Sequence, residues 1–290
     1  MYGVAAYALW GLFPLFWPLL EPANPLEILA CRIVFSCVVV AVILAVRHEL
    51  RGVRRMDRGT LLRLCAAGVA IAANWGVYIW GVNNGHVIET SLGYFINPLV
   101  TIGLGVVILH ERLRAVQWTA VALGAVAVTV LSVDYGRPPW IALALACSFG
   151  TYGFIKKGVR ASPPEGVLIE GAVLTIPALV VLAALALAGS ATWVGHDATP
   201  AHLALLFSAG PITALPLLLF AGAATRLPLS TMGLLQYLTP VMQFAIGVLV
   251  LHESTSFALL CGFALVWIAL AILAVDGVRH RNQVPNAVAA

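Results

Sequence analysis

Two stretches of this chain carry one pattern, 142 residues apart. Residues 91–111 read SLGYFINPLVTIGLGVVILHE and residues 233–253 read GLLQYLTPVMQFAIGVLVLHE, so Pro98 aligns with Pro240, Gly105 with Gly247 and His110-Glu111 with His252-Glu253. Each copy is an apolar run of membrane-spanning length broken once by proline. Proline-interrupted spans at matched places in two halves mark an internally duplicated membrane protein, and the non-ideal helices of such repeats often flank a ligand site.

Composition fixes the solvent. With 61% hydrophobic residues, 10% charged residues and a mean hydropathy of +0.99, the chain has too little polar surface to face water and must use lipid over most of its area. Cys31, Cys37, Cys65, Cys147 and Cys261 all fall in apolar runs without CxxC or Cys/His spacing, so they read as small interior residues and not as a disulfide, metal or redox framework. The formal charge of +4 is dispersed between apolar runs, which marks membrane orientation and gives no nucleic-acid signal. A span takes about 20 apolar residues. Ten can be bracketed, at 2–20, 26–46, 60–82, 88–109, 115–133, 139–156, 165–188, 201–222, 228–251 and 256–275. The first lacks a basic leader and a small-residue cleavage site, so a retained helix is expected there and not a signal peptide.

Fourteen of the sixteen Lys and Arg residues fall on one side of this arrangement. They surround the second connection (Arg47 to Arg63) and occupy the fourth (Arg112, Arg114), the sixth (Lys156, Lys157, Arg160), the eighth (Arg226) and the tail (Arg279, Arg281). The first, third, seventh and ninth connections hold none, and the fifth holds only Arg137. The positive-inside rule then puts both termini in the cytoplasm. Five spans per half is an odd number, so the second half enters the membrane upside down. The expected fold is all-α, an integral membrane protein with ten transmembrane helices in two inverted five-helix repeats: 1–135, then 136–276, then a cytoplasmic tail over 277–290, packed as one compact domain. Weaker echoes agree. Trp10-Gly11 matches Phe149-Gly150, and Pro25-Leu26-Glu27 matches Pro163-Pro164-Glu165.

The repeated helices also carry repeated polar stripes. Tyr94, Asn97, Thr101 and Gly105 recur at helical spacing, and their counterparts are Gln236, Thr239, Gln243 and Gly247. Polar groups facing hydrocarbon are costly, so the stripes face protein or a wet cavity, and Pro98 and Pro240 leave carbonyls near Tyr94 and Gln236 without their helical donors. Cavity lining and interhelical hydrogen bonding use the same residue types and both stay open. On the third span Asn74 and Tyr78 share a face beside Trp75, on the first Tyr7, Trp10 and Pro14 form a similar stripe, and Ser148, Thr151 and Tyr152 make a weaker one on the sixth. Two charges lie inside spans, Arg32 in the second and Glu170 in the seventh, where an unpaired charge costs about 2.5–3.5 kcal/mol or more. For Arg32 a structural ion-pair or hydrogen-bond role is expected ahead of a coupling one, with Glu27 or Glu89 as candidate partner; for Glu170 a structural role and proton carriage stand side by side. Glu111 and Glu253, at span ends, read as gating or structural groups.

Taken with AYALWGLFPLFW (6–17), LEILACRIVFS (26–36), NWGVYIWGVNNGHVIETSLGYFINPL (74–99), SFGTYGFIKK (148–157), AGPITALPLLLF (209–220) and LPLSTMGLLQYLTP (227–240), these features resemble the RarD-type permeases of the EamA family, in the drug/metabolite transporter superfamily. The resemblance covers nearly the whole chain. It implies ten helices around a central cavity, alternating access for small organic solutes, and Trp10, Asn74, Trp75, Tyr94, Asn97 and Gln236 as pocket residues; Tyr78 and Gln243 join them from the stripes. The expected function is that of a secondary transporter, an exporter of metabolites or drugs with chloramphenicol-like compounds as provisional substrates, in the inner membrane. No GxxxxGK[ST] loop, HExxH or GxSxG motif is present, so ATP hydrolysis and the common hydrolases are not indicated, and no cofactor or metal is expected. The expected partners are a small organic substrate and membrane lipid, with proton coupling and a homodimer left open. A non-transporting membrane scaffold or sensor is the alternative.

Overall fold

A computed structural model describes residues 1–83, 86–135, 139–194 and 198–250, together with 257, 260, 261, 264, 265, 267–269, 271, 272 and 275. Among them every regular element is helical: α1 (Tyr2–Gly11), α2 (Pro25–Val46), α3 (Leu50–Arg54), α4 (Arg58–Asn83), α5 (Val87–Val107), α6 (Ala115–Tyr135), α7 (Trp140–Lys157), α8 (Pro163–Leu187), α9 (Pro200–Ala224), α10 (Leu229–Gln236) and α11 (Leu238–Leu249). Among the described residues, four helical segments are long and apolar enough to cross a membrane: Pro25–Val46, Arg58–Tyr78, Pro163–Leu187 and Pro200–Ala224. Their outer faces need lipid. On α8, Ile176 and Val180 are 72% and 63% exposed, which water would penalise.

Helix starts follow the local sequence. Asn24 Oδ1 accepts the Glu27 N–H at 2.9 Å with Pro25 in the first turn of α2, Ser162 and Glu165 form a capping box ahead of α8, and Thr199 Oγ1 accepts the His202 N–H at the start of α9. Each such cap is worth about 1 kcal/mol, and a proline at the first helical position gives up an N–H that has no partner there.

Proline also reshapes two predicted spans. The stretch 2–20 is α-helical only to Gly11 and continues as two 3-10 turns, Phe13–Leu15 and Trp17–Leu20, because Pro14 and Pro18 lack the N–H and carry a ring that clashes with the preceding turn. The stretch 228–251 breaks at Tyr237, three residues before Pro240, into α10 and α11, whereas α5 runs through Pro98. Part of the tenth predicted span lies outside the described residues; those of its residues that are described are helical.

The packing is reciprocal between halves. The helix α4 packs on α7 while α9 packs on α1, α2 packs on α9 while α8 packs on α4, and α5 packs on α7 while α11 packs on α1. Glycines allow the closest of these approaches. A Cβ on Gly150 would lie 2.9 Å from Val100, and one on Gly11 would lie 2.7 Å from Met242. Val100 and Met242 are themselves 142 residues apart, so one glycine contact is made twice.

Candidate functional site

Eight α-helices and the two 3-10 turns converge on a cavity of about 300 Å³. The first helix and its 3-10 turns supply Tyr7, Trp10, Phe13, Pro14 and Trp17; α2 supplies Arg32; α4 supplies Ile71, Asn74, Trp75 and Tyr78. Tyr94 and Asn97 come from α5, Phe149 from α7, Leu217 from α9, and Gln236, Thr239, Pro240 and Gln243 from α10 and α11. Eight of these eighteen side chains are aromatic, so the wall suits a flat or apolar organic body with a few polar groups to orient it. Trp10 and Phe149, matched residues of the two halves, meet edge to face with ring centroids 6.0 Å apart.

The polar residues divide into engaged and free. Asn74 Nδ2 donates to the Leu145 carbonyl at 2.8 Å and to Ser148 Oγ at 3.0 Å, Thr239 Oγ1 to the Tyr7 carbonyl at 2.9 Å, and Gln243 Nε2 to the Trp10 carbonyl at 3.2 Å. Thr101 Oγ1 donates to Gln236 Oε1 at 3.3 Å, which ties α5 to α10. By contrast, Asn97 Oδ1 and the Tyr7 hydroxyl are buried without a hydrogen-bond partner among the described residues. A buried polar atom left unpaired costs about 1–3 kcal/mol, which a ligand group can recover.

Arg32 is the one charged side chain among the described lining residues, and its partners correct the sequence expectation. Glu27 does not reach it: its Oε1 accepts the N–H groups of Thr192 and Trp193 and the Thr192 hydroxyl. Glu89 instead accepts the Ile141 N–H at 2.7 Å, at the start of α7. Both carboxylates therefore satisfy orphan backbone donors at element ends, a local role that spacing along α2 and α5 does not reveal. The Arg32 guanidinium lies instead 4.5 Å from the centroid of Trp75, 5.0 Å from Trp17 and 5.9 Å from Phe13. Ring faces attract a cation. Its Nε has no acceptor among the described residues.

Glu170 is outside the cavity wall. It is 4% exposed and forms an ion pair with Lys156 at 2.5 Å, while the Tyr152 hydroxyl donates to its other oxygen at 3.1 Å. Glu111 ties the connection after α5 to the start of α10. Its carboxylate accepts the N–H of Leu229 at 2.7 Å and the N–H and hydroxyl of Ser230 at 2.8 and 2.6 Å, at the N-terminus of α10, with Lys157 3.9 Å away. Burial tends to raise this carboxyl, but the hydrogen bonds from Ser230 and Leu229 and the Lys157 charge outweigh it and hold the group below its ordinary range. Pro240 lines the cavity; Pro98 is buried between helices, its carbonyl facing Gly233 of α10. Glu253 lies outside the described residues.

Comparison with known proteins identifies the scaffold. Residues 1–133 match the EamA-like transporter family. A Protein RarD from Streptomyces exfoliatus is 52% identical over 98% of this chain and 90% of its own length, and an uncharacterized transporter of Pseudomonas aeruginosa is 40% identical over 98% and 95%. The chain belongs to the EamA-like transporter family. It is of the RarD type, among permeases and not enzymes. One crystal structure superposes on this EamA permease with a TM-score of 0.72 over 95% of it and 96% of that chain; at 17% identity the likeness concerns the fold alone.

The eight residues singled out for the pocket of this EamA permease, Trp10, Asn74, Trp75, Tyr78, Tyr94, Asn97, Gln236 and Gln243, all line the one cavity. Sequence reasoning missed Phe13, Trp17 and Phe149, whose rings sit in apolar runs like any core residue. It also missed Lys156, read only as an orientation marker. The available signal was its i,i+4 spacing from Tyr152, which puts both on one face of α7 toward Glu170.

Proposed function

We propose that this permease is a secondary transporter that exports small organic metabolites or drugs by alternating access, with chloramphenicol-like compounds as provisional substrates. The observation that carries this reading is the aromatic cavity at the contact of matched residues Trp10 and Phe149, into which both proline-bearing helices send polar side chains. Ligand sites of duplicated transporters lie at the repeat interface.

Two inverted five-helix repeats, 1–135 and 136–276, followed by a tail over 277–290, form one transport domain in this proposal. The reciprocal packing of α4 on α7 and α9 on α1, and the doubled glycine contact of Gly11 with Met242 and Gly150 with Val100, support it. With the basic connections and both termini in the cytoplasm, Glu111, Ser230 and Lys157 lie at the inner end and hold it shut, while the cavity sits nearer the outer face. That is an outward-facing state, and release of Glu111 from α10 is part of inward opening. The eight pocket residues bind substrate. Energy comes from ion or substrate gradients.

The hydrogen bonds of Thr101, Thr239 and Gln243 across helices favour a second reading, a scaffold or sensor held together by its polar stripes. Reconstitution in sealed liposomes separates the two. Saturable flux and counterflow of chloramphenicol or a related metabolite, measured with and without an imposed pH gradient, is the expected result; no flux from a folded preparation supports the scaffold.

A further inference from the structure

Building on the transporter reading, we infer that the cavity takes an organic monoanion, a small carboxylate on an aromatic or branched apolar body, with the carboxylate on Arg32 and the body on the ring wall. The argument starts from charge. Arg32 brings one positive charge to the cavity, no described lining residue is acidic, and the two partners expected for it, Glu27 and Glu89, accept backbone N–H groups elsewhere. Glu170, the other charge within a span, is already matched by Lys156. Among the described residues no carboxylate forms an ion pair with Arg32.

Three rings surround the guanidinium, and ring faces stabilise a cation without offering hydrogen-bond acceptors. Its N–H groups therefore lack what a planar two-oxygen anion supplies, and a carboxylate matches the guanidinium fork in both charge and geometry. A single negative charge balances the site, whereas a dianion would leave excess charge at a depth where water is scarce. A neutral aromatic uses the wall but leaves Arg32 uncompensated. Asn97 Oδ1, unpaired on the same cavity, accepts from a hydroxyl or amine on the substrate body.

The test uses the purified full-length protein and matched probes: 3-phenylpropionate, 4-phenylbutyrate and 4-methylvalerate, each against its primary amide, titrated by the tryptophan fluorescence of the cavity wall at neutral pH. The expected result is at least one pair in which the carboxylate binds about tenfold or more tighter than its amide. Arg32→Gln should collapse that preference to within about twofold, and Arg32→Lys should retain part of it, since the charge stays while the fork is lost. The preference is a ratio within one preparation, so partial misfolding does not distort it. No carboxylate preference in any pair, or a preference that survives Arg32→Gln, overturns the inference. Liposome flux of the same probes and of chloramphenicol keeps the two readings apart. Saturable flux without carboxylate preference overturns the monoanion and leaves the transporter, whereas Arg32-dependent preference without flux of any probe overturns the transporter and leaves an anion-binding site.

Discussion

Lys156 and Glu170 hold each other at 2.5 Å with both side chains at most 5% exposed, and Tyr152 completes the cluster from the same face of α7. Arg32, which corresponds to Glu170 when Glu27 is matched with Glu165, makes no such pair and faces rings across a cavity. The two intramembrane charges therefore differ in what their removal does. Glu170→Gln leaves Lys156 buried and unmatched, and loss of one partner of a buried pair typically costs about 3–5 kcal/mol. Arg32→Gln removes a charge that has no counter-charge among the described residues and should cost far less. Thermal melts in detergent check this: a large fall in Tm for Glu170→Gln, recovered in part by Lys156→Met in the same chain, against little change for Arg32→Gln. Equal losses would contradict it.

The same cluster bears on proton coupling. If Glu170 is structural, flux in a stabilised Glu170→Gln background keeps its wild-type dependence on an imposed proton gradient. Loss of that dependence with flux otherwise intact would instead identify Glu170 as the coupling group.

Asn97 and Gln243 separate function from packing. Gln243 spans to the Trp10 carbonyl, whereas Asn97 Oδ1 has no partner among the described residues to lose. Gln243→Ala should lower both melting temperature and flux, in keeping with about 0.6 kcal/mol for an average intramembrane hydrogen bond. Asn97→Ala should leave stability near wild type and weaken substrate binding more. Unchanged flux in both stable variants would remove them from the pocket.

How much of this was legible in the sequence depended on cost. Polar side chains at helical spacing inside an apolar run are expensive in lipid, so Asn74, Asn97, Gln236 and Gln243 announced a shared interior surface. Caps and first-turn prolines such as Asn24-Pro25 and Ser162-Pro163 announced helix starts. Phe13, Trp17 and Phe149 carried no such signal, because a ring in an apolar run costs nothing wherever it points. The partner of Arg32 was missed for a related reason: a carboxylate was sought, and the contacts are ring faces brought in from α4 and from turns shaped by Pro14 and Pro18. Nor does local sequence distinguish Pro98, inside a continuous helix, from Pro240, beyond a break.

Glu111 makes a pH-sensitive contact with the start of α10. Its carboxyl is held below the ordinary value of 4.5, so its bonds to α10 contribute stability fully above that pH and lose it as pH falls through the lowered value. Glu111→Gln should mimic the acid state at neutral pH, since an amide is a weaker acceptor for the Leu229 and Ser230 N–H groups. Hydrogen exchange across 227–232 should rise by about tenfold in the variant, the equivalent of about 1.4 kcal/mol of lost local stability. Wild-type protection would show that the carboxylate does not hold this end.

Orientation is open to direct labelling. In a background without the native cysteines, single cysteines at Asn24 and Ser190 should react with an impermeant thiol reagent added outside intact cells, whereas cysteines at Asp57 and Arg160 should react only after permeabilisation. The reverse pattern would invert the molecule, and with it the direction in which the cavity faces.

The doubled glycine contact tests the repeat itself. Gly150 sits against Val100 and Gly11 against Met242, each too close to admit a Cβ without a shift. Gly150→Ala and Gly11→Ala should each destabilise by about 1–3 kcal/mol through overpacking. Val100→Ala, which removes the Cγ1 at the first contact, and Met242→Gly, which removes the Cβ at the second, should relieve their own partners relative to the single variants, while the crossed combinations, Gly150→Ala with Met242→Gly and Gly11→Ala with Val100→Ala, should give no relief. Melting temperatures of the four double variants decide the point. Relief confined to the two matched pairs means that one inter-helix contact has been built twice, as two copies of a single repeat require; relief in the crossed pairs would mean general slack in the bundle and would remove this support for the duplication.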